Sequence, residues 1–224
     1  MNLIEAKNIK KSFGKKTKAL RGADFTVCEG EIVAIMGPSG SGKSTLLHCL
    51  AGILRVDSGN IIFEGEDITK YSIKKRNKLR REKFGFVFQF SQLVSELTAL
   101  DNVALPLLVN GVNKRIAYQK ASDWLKKVGA ENCANQIPGE LSGGQNQRVA
   151  IARAMITEPR VLFADEPTGS LDSFNSEKVM ELFVKTAKEN HTTVIMVTHE
   201  PTIAAYADRE VVVRDGVVNM GSEK

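Results

Sequence analysis

Apolar positions along this chain fall into short runs and alternating segments that predict β-strands. The segment 3–9 alternates apolar and polar residues, which is typical of a strand with one buried face. Other segments are continuous apolar runs bounded by glycine or polar residues, as expected of strands buried on both faces. The last two runs flank Asp215-Gly216 and predict a hairpin. Strands are predicted at 3–9, 31–36, 61–63, 160–164, 193–197, 211–213 and 217–218.

Helical periodicity fills several of the intervals between these strands. From 114 to 128 apolar residues recur every three or four positions, and Gly129 ends the pattern. Further helices are predicted at 43–51, at 143 to about 156 and at 176–189. Strands that alternate with helices predict an α/β fold with a parallel sheet. The interval 90–140 is mostly helical in pattern and predicts a subdomain beside that sheet.

Composition narrows the class of protein. The chain has 224 residues, of which 42% are hydrophobic and 25% charged, which suits one globular domain and excludes disordered or collagen-like chains. Its longest apolar stretch, 103–109, is interrupted by Pro106 and falls short of the roughly 18–20 residues of a membrane span. The N-terminal segment has no continuous apolar core, so we expect a soluble, cytoplasmic protein. Three widely spaced cysteines argue against a disulfide framework or a zinc site.

The charge is basic and uneven. A net charge of +5 favours an anionic partner. The segment 70–83 carries eight lysine or arginine residues against one acid, Glu82. Two interpretations stay open, a solvated helix face or a contact surface for lipid headgroups or a protein partner. Aromatic residues do not alternate with these charges, which argues against nucleic acid.

The strongest chemical signal is the glycine-rich segment 37–45. It matches G-x-x-x-x-G-K-[ST] and lies between a predicted strand and a predicted helix. Gly40 and Gly42 allow backbone amides to converge on one centre, where the helix dipole adds positive potential. Lys43 supplies a charge for the outer phosphates of a nucleoside triphosphate, and Ser44 a hydroxyl for Mg²⁺. The predicted binding residues are Gly37, Pro38, Ser39, Gly40, Ser41, Gly42, Lys43, Ser44 and Thr45.

Two carboxylates follow the predicted strand 160–164. Asp165 is predicted to lie near the phosphate loop and to hold Mg²⁺. Because side chains alternate along a strand, Glu166 is predicted to point elsewhere and to face the attacking water as general base.

A second helix start carries exposed amides. Ser142 is a good N-cap, and Gly143 and Gly144 leave backbone amides open at the positive end of the helix that follows. This pattern predicts an anion-binding helix start, although the same residues also suit a helix that is merely capped.

Taken together, these motifs resemble the ATPase subunit of an ABC transporter over essentially the whole chain. In the family's order they are the phosphate loop, Gln89 in FVFQ, LSGGQ at 141–145, Asp165-Glu166, Ser170-Leu171-Asp172 and His199. The resemblance implies a P-loop ATPase core with a parallel sheet, an antiparallel β subdomain and a helical signature subdomain. It implies one domain, 1–224, with core and β subdomain at 1–89 and 158–224 and the helical subdomain at about 90–157.

The resemblance also implies a role for each motif. The cofactors are ATP and Mg²⁺, and two copies of the chain form a homodimer around two ATP molecules. Gln89 senses Mg²⁺ and the attacking water, His199 contacts the γ-phosphate, and Phe13 stacks on adenine. The implied catalytic residues are Glu166, His199 and Gln89, the metal-binding residues are Ser44, Gln89 and Asp165, and the residues that reach the ATP of the other subunit are Ser142, Gly143, Gly144, Gln145 and Asp172.

Finer similarity points to one branch of the family. The stretches 84–89, 97–106 and 166–173 resemble the macrolide-exporter, lipoprotein-release and cell-division group, whereas Gln145-Asn146-Gln147 departs from it. This branch implies a permease with few membrane helices and a large extracytoplasmic domain, with the ATPase held at the cytoplasmic face of the membrane. The substrate expected is hydrophobic or peptide-like.

The same residues also bear on three other functions. A regulatory ATPase of the cell-division type, which signals without transport, stays open. A soluble ATPase that acts on DNA or ribosomes is disfavoured, because 89–141 has no room for a long coiled coil and the chain carries one phosphate loop. An inactive nucleotide-binding module is opposed by the joint presence of Lys43, Asp165, Glu166 and His199.

The segment after Gln89 carries four apolar residues three or four positions apart, Phe90, Leu93, Val94 and Leu97. This spacing predicts one face of a helix. The face either packs the helical subdomain or forms part of a groove that receives a cytoplasmic helix of the permease.

Overall fold

The computed structural model describes residues 2–14 and 17–220. Strands and helices alternate along most of this range, and the prediction of an α/β fold is confirmed. In chain order the elements are β1 (Asn2–Phe13), β2 (Thr17–Cys28), β3 (Ile32–Met36), α1 (Lys43–Leu50), β4 (Ser58–Phe63), β5 (Glu66–Asp67), α2 (Ile73–Lys83), β6 (Phe84–Phe88), α3 (Ala99–Val109), α4 (Lys114–Lys127), α5 (Gly143–Met155), β7 (Val161–Asp165), α6 (Ser173–Glu189), β8 (Thr193–Val197), α7 (Pro201–Ala204), β9 (Arg209–Arg214) and β10 (Val217–Met220).

The chain forms two compact units, 1–80 with 191–224 and 81–190. The first unit contains the antiparallel order β2-β1-β4-β5 and the order β10-β9-β3-β8. Strand β3 is parallel to both β8 and β9. Its residues Ile32, Val33, Ala34 and Ile35 are fully buried, as a central parallel strand covered on both faces requires.

The second unit is built on the parallel pair β6 and β7, with α3, α4, α5 and α6. Helix α5 passes very close to β6 at Gly85, where a Cβ atom would lie 2.5 Å from the carbonyl oxygen of Ala154. Only glycine allows this approach, so the sequence brings α5 onto β6 at that point.

The basic segment contains helix α2, and none of the residues of α2 is buried. Part of its charge is engaged locally, since Arg80 donates to the carbonyl of Gly52 at 2.6 Å and Lys75 pairs with Glu66 at 2.8 Å. Helix α2 therefore presents a solvated face. Contact of this face with lipid headgroups or a protein partner stays a prediction.

The helical face predicted over Phe90–Leu97 is wrong. This segment has no helix, and Ser91 and Gln92 adopt left-handed backbone conformations with φ of 54° and 45°. The side chain of Asn102 donates to the carbonyls of Val94 and Leu97 and so holds the segment as a loop. The helix begins only at Ala99, after the capping box of Thr98 and Asp101.

Among the described residues, no helix is long and apolar enough to cross a membrane.

Candidate active site

The predicted phosphate loop joins β3 to α1 in the first unit. Gly37 and Gly42 adopt φ of 146° and 106°, which side chains rarely tolerate. A Cβ atom on Gly37 would lie 2.1 Å from the carbonyl oxygen of Val213, and one on Gly42 would lie 2.4 Å from that of Ala19. Both glycines are therefore needed for the loop to pack against β9 and β2.

Two polar side chains of this loop are buried. Lys43 is 7% exposed at the start of α1, and its Nζ donates to the carbonyl of Pro38 at 2.9 Å. The hydroxyl of Ser41 is buried and has no hydrogen-bond partner within the described part of the chain. A buried hydroxyl without a partner is costly, and a charged lysine beside it suits a polar anion. The arrangement fits a phosphate group.

His199 follows β8 at the same sheet edge as the phosphate loop. Strand β8 is parallel to β3, with Ile35 in register with Val197, and the Thr198 amide donates to the Ile35 carbonyl at 3.2 Å. Because the carboxyl ends of parallel strands lie together, His199 and the loop that begins at Gly37 share one edge of this unit. The side chain of His199 is exposed.

Phe13 ends β1 and is 46% exposed. Lys11 lies beside it, with Nζ 5.8 Å from the ring centroid, and pairs with Asp57 at 3.0 Å. An exposed ring suits the stacking role that the resemblance implies.

In the second unit, Gln89 and Glu166 follow the ends of two paired strands. Phe88 is in register with Asp165, so both residues leave the sheet at the same edge. The Nε2 atom of Gln89 donates to the carbonyl of Gly169 at 3.2 Å. A Cβ atom on Gly169 would lie 2.9 Å from that Nε2 and 3.2 Å from Oε2 of Glu166. The two side chains therefore converge on Gly169.

The direction of Glu166 has a different origin from the one expected. Strand β7 ends at Asp165, and Glu166 has a left-handed backbone with φ of 49°. The turn, rather than strand alternation, separates the two carboxylates. A non-glycine residue in this conformation costs about 1–3 kcal/mol, and such strain concentrates at functional sites.

The LSGGQ segment caps α5 as predicted. Ser142 accepts from the Gln145 amide at 3.3 Å, and the Gln145 side chain accepts from the Ser142 amide at 2.8 Å. Ser142 and Gly143 are exposed. The predicted helix start is thus present with its first residues open to a ligand.

Asp172 lies beside this helix start. It caps α6 and accepts from the backbone amide and the side-chain amide of Asn175, which lower the pKa of the Asp172 carboxyl. The Cβ position of Gly144 is 3.6 Å from Oδ1 of Asn175, and that of Gly143 is 2.9 Å from Leu171. The structure therefore brings the two predicted segments for the other subunit together.

The predicted site residues divide between the two units. Phe13, the phosphate loop and His199 belong to the first, and Gln89, Ser142–Gln145, Asp165, Glu166 and Asp172 belong to the second. The predicted approach of Asp165 to the phosphate loop stays a prediction. Neither Gly169 nor the buried Gln147 was predicted from the sequence. The signal for Gln147 was a single amide among the otherwise apolar buried residues of α5.

Comparisons with known proteins extend these findings. A family model for the ABC transporter matches residues 20–169. The uncharacterized ABC transporter ATP-binding protein YknY of Bacillus subtilis is 45% identical, over 96% of this chain and 94% of its own length. The lipoprotein-releasing system ATP-binding protein LolD of Porphyromonas gingivalis is 42% identical, over 96% and 98%.

Solved structures agree with the sequence relatives. The dimeric, post-hydrolysis structure of the ATP-binding cassette MJ0796 with ADP and Pi has a TM-score of 0.90 and 37% identity, covering 98% of both chains. The cbiO1 protein of Clostridium perfringens, part of the cbiONQ transporter complex, has a TM-score of 0.88 and 34% identity, covering 98% and 87%. The range matched by the family model includes the phosphate loop, Gln89, LSGGQ and Asp165-Glu166.

Proposed function

The chain belongs to the ABC transporter family as an ATP-hydrolysing subunit, and on that premise we propose how its residues bind ATP and drive a permease. Two copies enclose two ATP molecules, and hydrolysis moves a membrane partner that exports or extracts a hydrophobic or peptide-like substrate. The lipoprotein-releasing relatives and the dimeric MJ0796 structure support this proposal. The observation that carries it is the convergence of Gln89 and Glu166 on Gly169, beside the strand that ends in Asp165.

The first unit holds the nucleotide. Backbone amides of 37–45 and the Lys43 ammonium bind the phosphates, and His199 contacts the γ-phosphate from the same sheet edge. Phe13 stacks on the adenine. The buried hydroxyl of Ser41 and the close packing of Gly37 and Gly42 support this assignment.

Replacing Lys43 by alanine should weaken ATP binding by at least about tenfold, because a charge-assisted hydrogen bond contributes about 1.5–3 kcal/mol. Titration with a fluorescent ATP analogue measures the change. Lys7→Ala, which removes an exposed lysine of β1 in the same unit, is the matched control. Equal affinity of the two variants would contradict the assignment of Lys43.

The second unit supplies metal ligands and a base. Mg²⁺ prefers oxygen ligands. In this unit Gln89 and Asp165 offer an amide and a carboxylate oxygen, and in the first unit Ser44 offers a hydroxyl. When bound, Mg²⁺ would neutralise the charge that develops on the phosphates. Mg²⁺ is usually held by one or two carboxylates together with substrate phosphates, so we expect ATP oxygens to complete its shell. Glu166 takes a proton from the attacking water.

The start of α5 and Asp172 serve the other subunit. Ser142 and Gly143 are exposed although they cap a helix whose later residues are largely buried. Open amides at the positive end of a helix favour phosphate. Ser142, Gly143, Gly144, Gln145 and Asp172 therefore complete the ATP site of the partner copy.

The permease docks on a groove of the second unit. A cavity of about 280 Å³ is lined by Phe90, Ser91, Leu93, Pro138, Gly143, Asn146 and Ser170. Phe90 is 76% exposed beside it, and an exposed aromatic at a concave surface is a common anchor for a partner helix. We assign the groove to a cytoplasmic helix of the permease, which holds the chain at the cytoplasmic face of the membrane.

Leu93→Glu should abolish copurification of the chain with its permease and any stimulation of turnover by it, because a buried unpaired carboxylate is costly in an interface. The ATPase activity of the isolated variant is measured alongside as a check on folding. Ile116→Glu changes an exposed apolar residue of α4 outside the groove and is the control. Normal complex formation by Leu93→Glu would remove this segment from the interface.

A further inference from the structure

Helix α5 carries a buried amide, Gln147, whose polar atoms are all engaged. The side chain is 0% exposed. Its Nε2 donates to the carbonyls of Phe88 at 3.1 Å and Pro167 at 2.5 Å, and its Oε1 accepts from the Ser91 hydroxyl at 2.5 Å. No other residue type of similar shape supplies two donors and one acceptor in this arrangement.

The partners of Gln147 flank both proposed catalytic side chains. Phe88 directly precedes Gln89, and Pro167 directly follows Glu166. Strands β6 and β7 end at Phe88 and Asp165, so the sheet no longer fixes the backbone beyond those points. One amide therefore bridges the two segments where the strands stop holding them.

Arg153, also on α5, binds the segment that follows Gln89. Its guanidinium donates to the carbonyls of Ser91 and Gln92 at 2.7 Å each. Burial lowers the pKa of Arg153 to about 10, so the group stays charged at neutral pH. Arg153 therefore holds the left-handed residues Ser91 and Gln92 on α5. Gln147 holds Phe88 on the same helix.

We propose that Gln147 is a positioning residue for ATP hydrolysis, which fixes the spacing of Gln89 and Glu166 and links both to the helix that begins with LSGGQ. A displacement of α5 when its first residues engage the partner copy's ATP is then transmitted to both side chains. The inference rests on the roles proposed above for Gln89 and Glu166.

Gln147→Met keeps the length of the side chain and removes its three hydrogen bonds. We expect kcat for ATP to fall by about 10–10²-fold, since misplacement of catalytic groups by about 1 Å has that effect. The KM for ATP should stay within about twofold, because the phosphate loop is untouched.

The matched control is Asn102→Leu. Asn102 is also a fully buried amide of the second unit, and it donates to three backbone carbonyls, none of them adjacent to Gln89 or Glu166. Both variants should lower the melting temperature, but only Gln147→Met should lower kcat. Equal kcat values for the two variants would overturn the proposal.

Ser91→Ala gives a milder test if Gln147→Met does not fold. It removes one of the three hydrogen bonds, and we expect kcat to fall by about two- to fivefold with unchanged KM. Unchanged kcat in a folded Ser91→Ala would contradict the proposal in that case. Glu166→Gln is assayed in parallel, because normal turnover there would instead overturn the catalytic roles on which the inference rests.

Discussion

Replacing Glu166 by glutamine should lower ATP turnover by about 10²–10⁴-fold, the range of general acid–base catalysis. The amide keeps the shape of the side chain next to Gly169 but cannot accept a proton from water. ATP binding should survive, since the phosphate loop belongs to the other unit. The ATP-bound dimer should accumulate, because the step that would empty it is blocked.

Phosphate release and gel filtration with ATP measure the two effects. Glu158→Gln is a close control, because Glu158 is an exposed glutamate of the same unit and shares the left-handed backbone of Glu166, with φ of 52°. It pairs with exposed Lys120 at 3.4 Å on the surface, so its loss should change turnover little. Near-normal turnover of Glu166→Gln would remove it from the role of base.

The phosphate loop shows what local sequence determines. The order of glycines, lysine and serine between an apolar run and a helical run sets the backbone conformation and the charge of the loop together. The need for glycine was predicted from the sequence at Gly40 and Gly42, and both adopt a positive φ. The confinement of Gly37 by Val213 and of Gly42 by Ala19 comes from strands that are distant in the chain, so the sequence pattern did not predict it.

The geometry around Glu166 and Gln89 depends on contacts between distant residues. The left-handed turn at Glu166 packs against Gly169, and the carbonyl of the next residue, Pro167, accepts from Gln147. Asn102 separately holds the later segment 94–98, which does not adjoin Gln89 or Glu166. The spacing of apolar residues alone could not show that the Asn102 side chain would bind the carbonyls of Val94 and Leu97, which in a helix would accept from backbone amides. For the same reason, Gln89 and Glu166 were predicted from the sequence, whereas Gln147, which bridges the two segments that contain them, was not.

Strands β2 and β6 were also missed, for a related reason. Strand β2 has charged and polar residues on its exposed positions and is recognisable mainly through its pairing with β1. Strand β6 is only five residues long and contains Gly85, which a local pattern does not favour in a strand. The reason for that glycine, the approach of α5, lies about 70 residues further along the chain.

Mixing Lys43→Ala subunits with Ser142→Arg subunits should restore ATPase activity that neither variant has alone. In the heterodimer, the intact phosphate loop of one chain meets the intact Ser142 of the other, and one complete site results. Random exchange makes about half of the dimers heterodimers with one of two sites intact, so we expect about a quarter of wild-type activity. Phosphate release after mixing in defined ratios measures it.

The matched control replaces Ser142→Arg with the double variant Lys43→Ala, Ser142→Arg. Every site then lacks Lys43, so that mixture should stay inactive. Copurification of the Ser142→Arg chain with a tagged Lys43→Ala chain in the presence of ATP shows that heterodimers have formed. A heterodimer of wild-type and Lys43→Ala chains keeps one intact site whether or not Ser142 acts on the partner's ATP, and it shows whether one site suffices. If that heterodimer is active, an inactive Lys43→Ala and Ser142→Arg heterodimer would contradict the arrangement in which Ser142 completes the partner's site. If neither heterodimer is active, hydrolysis requires both sites to be intact.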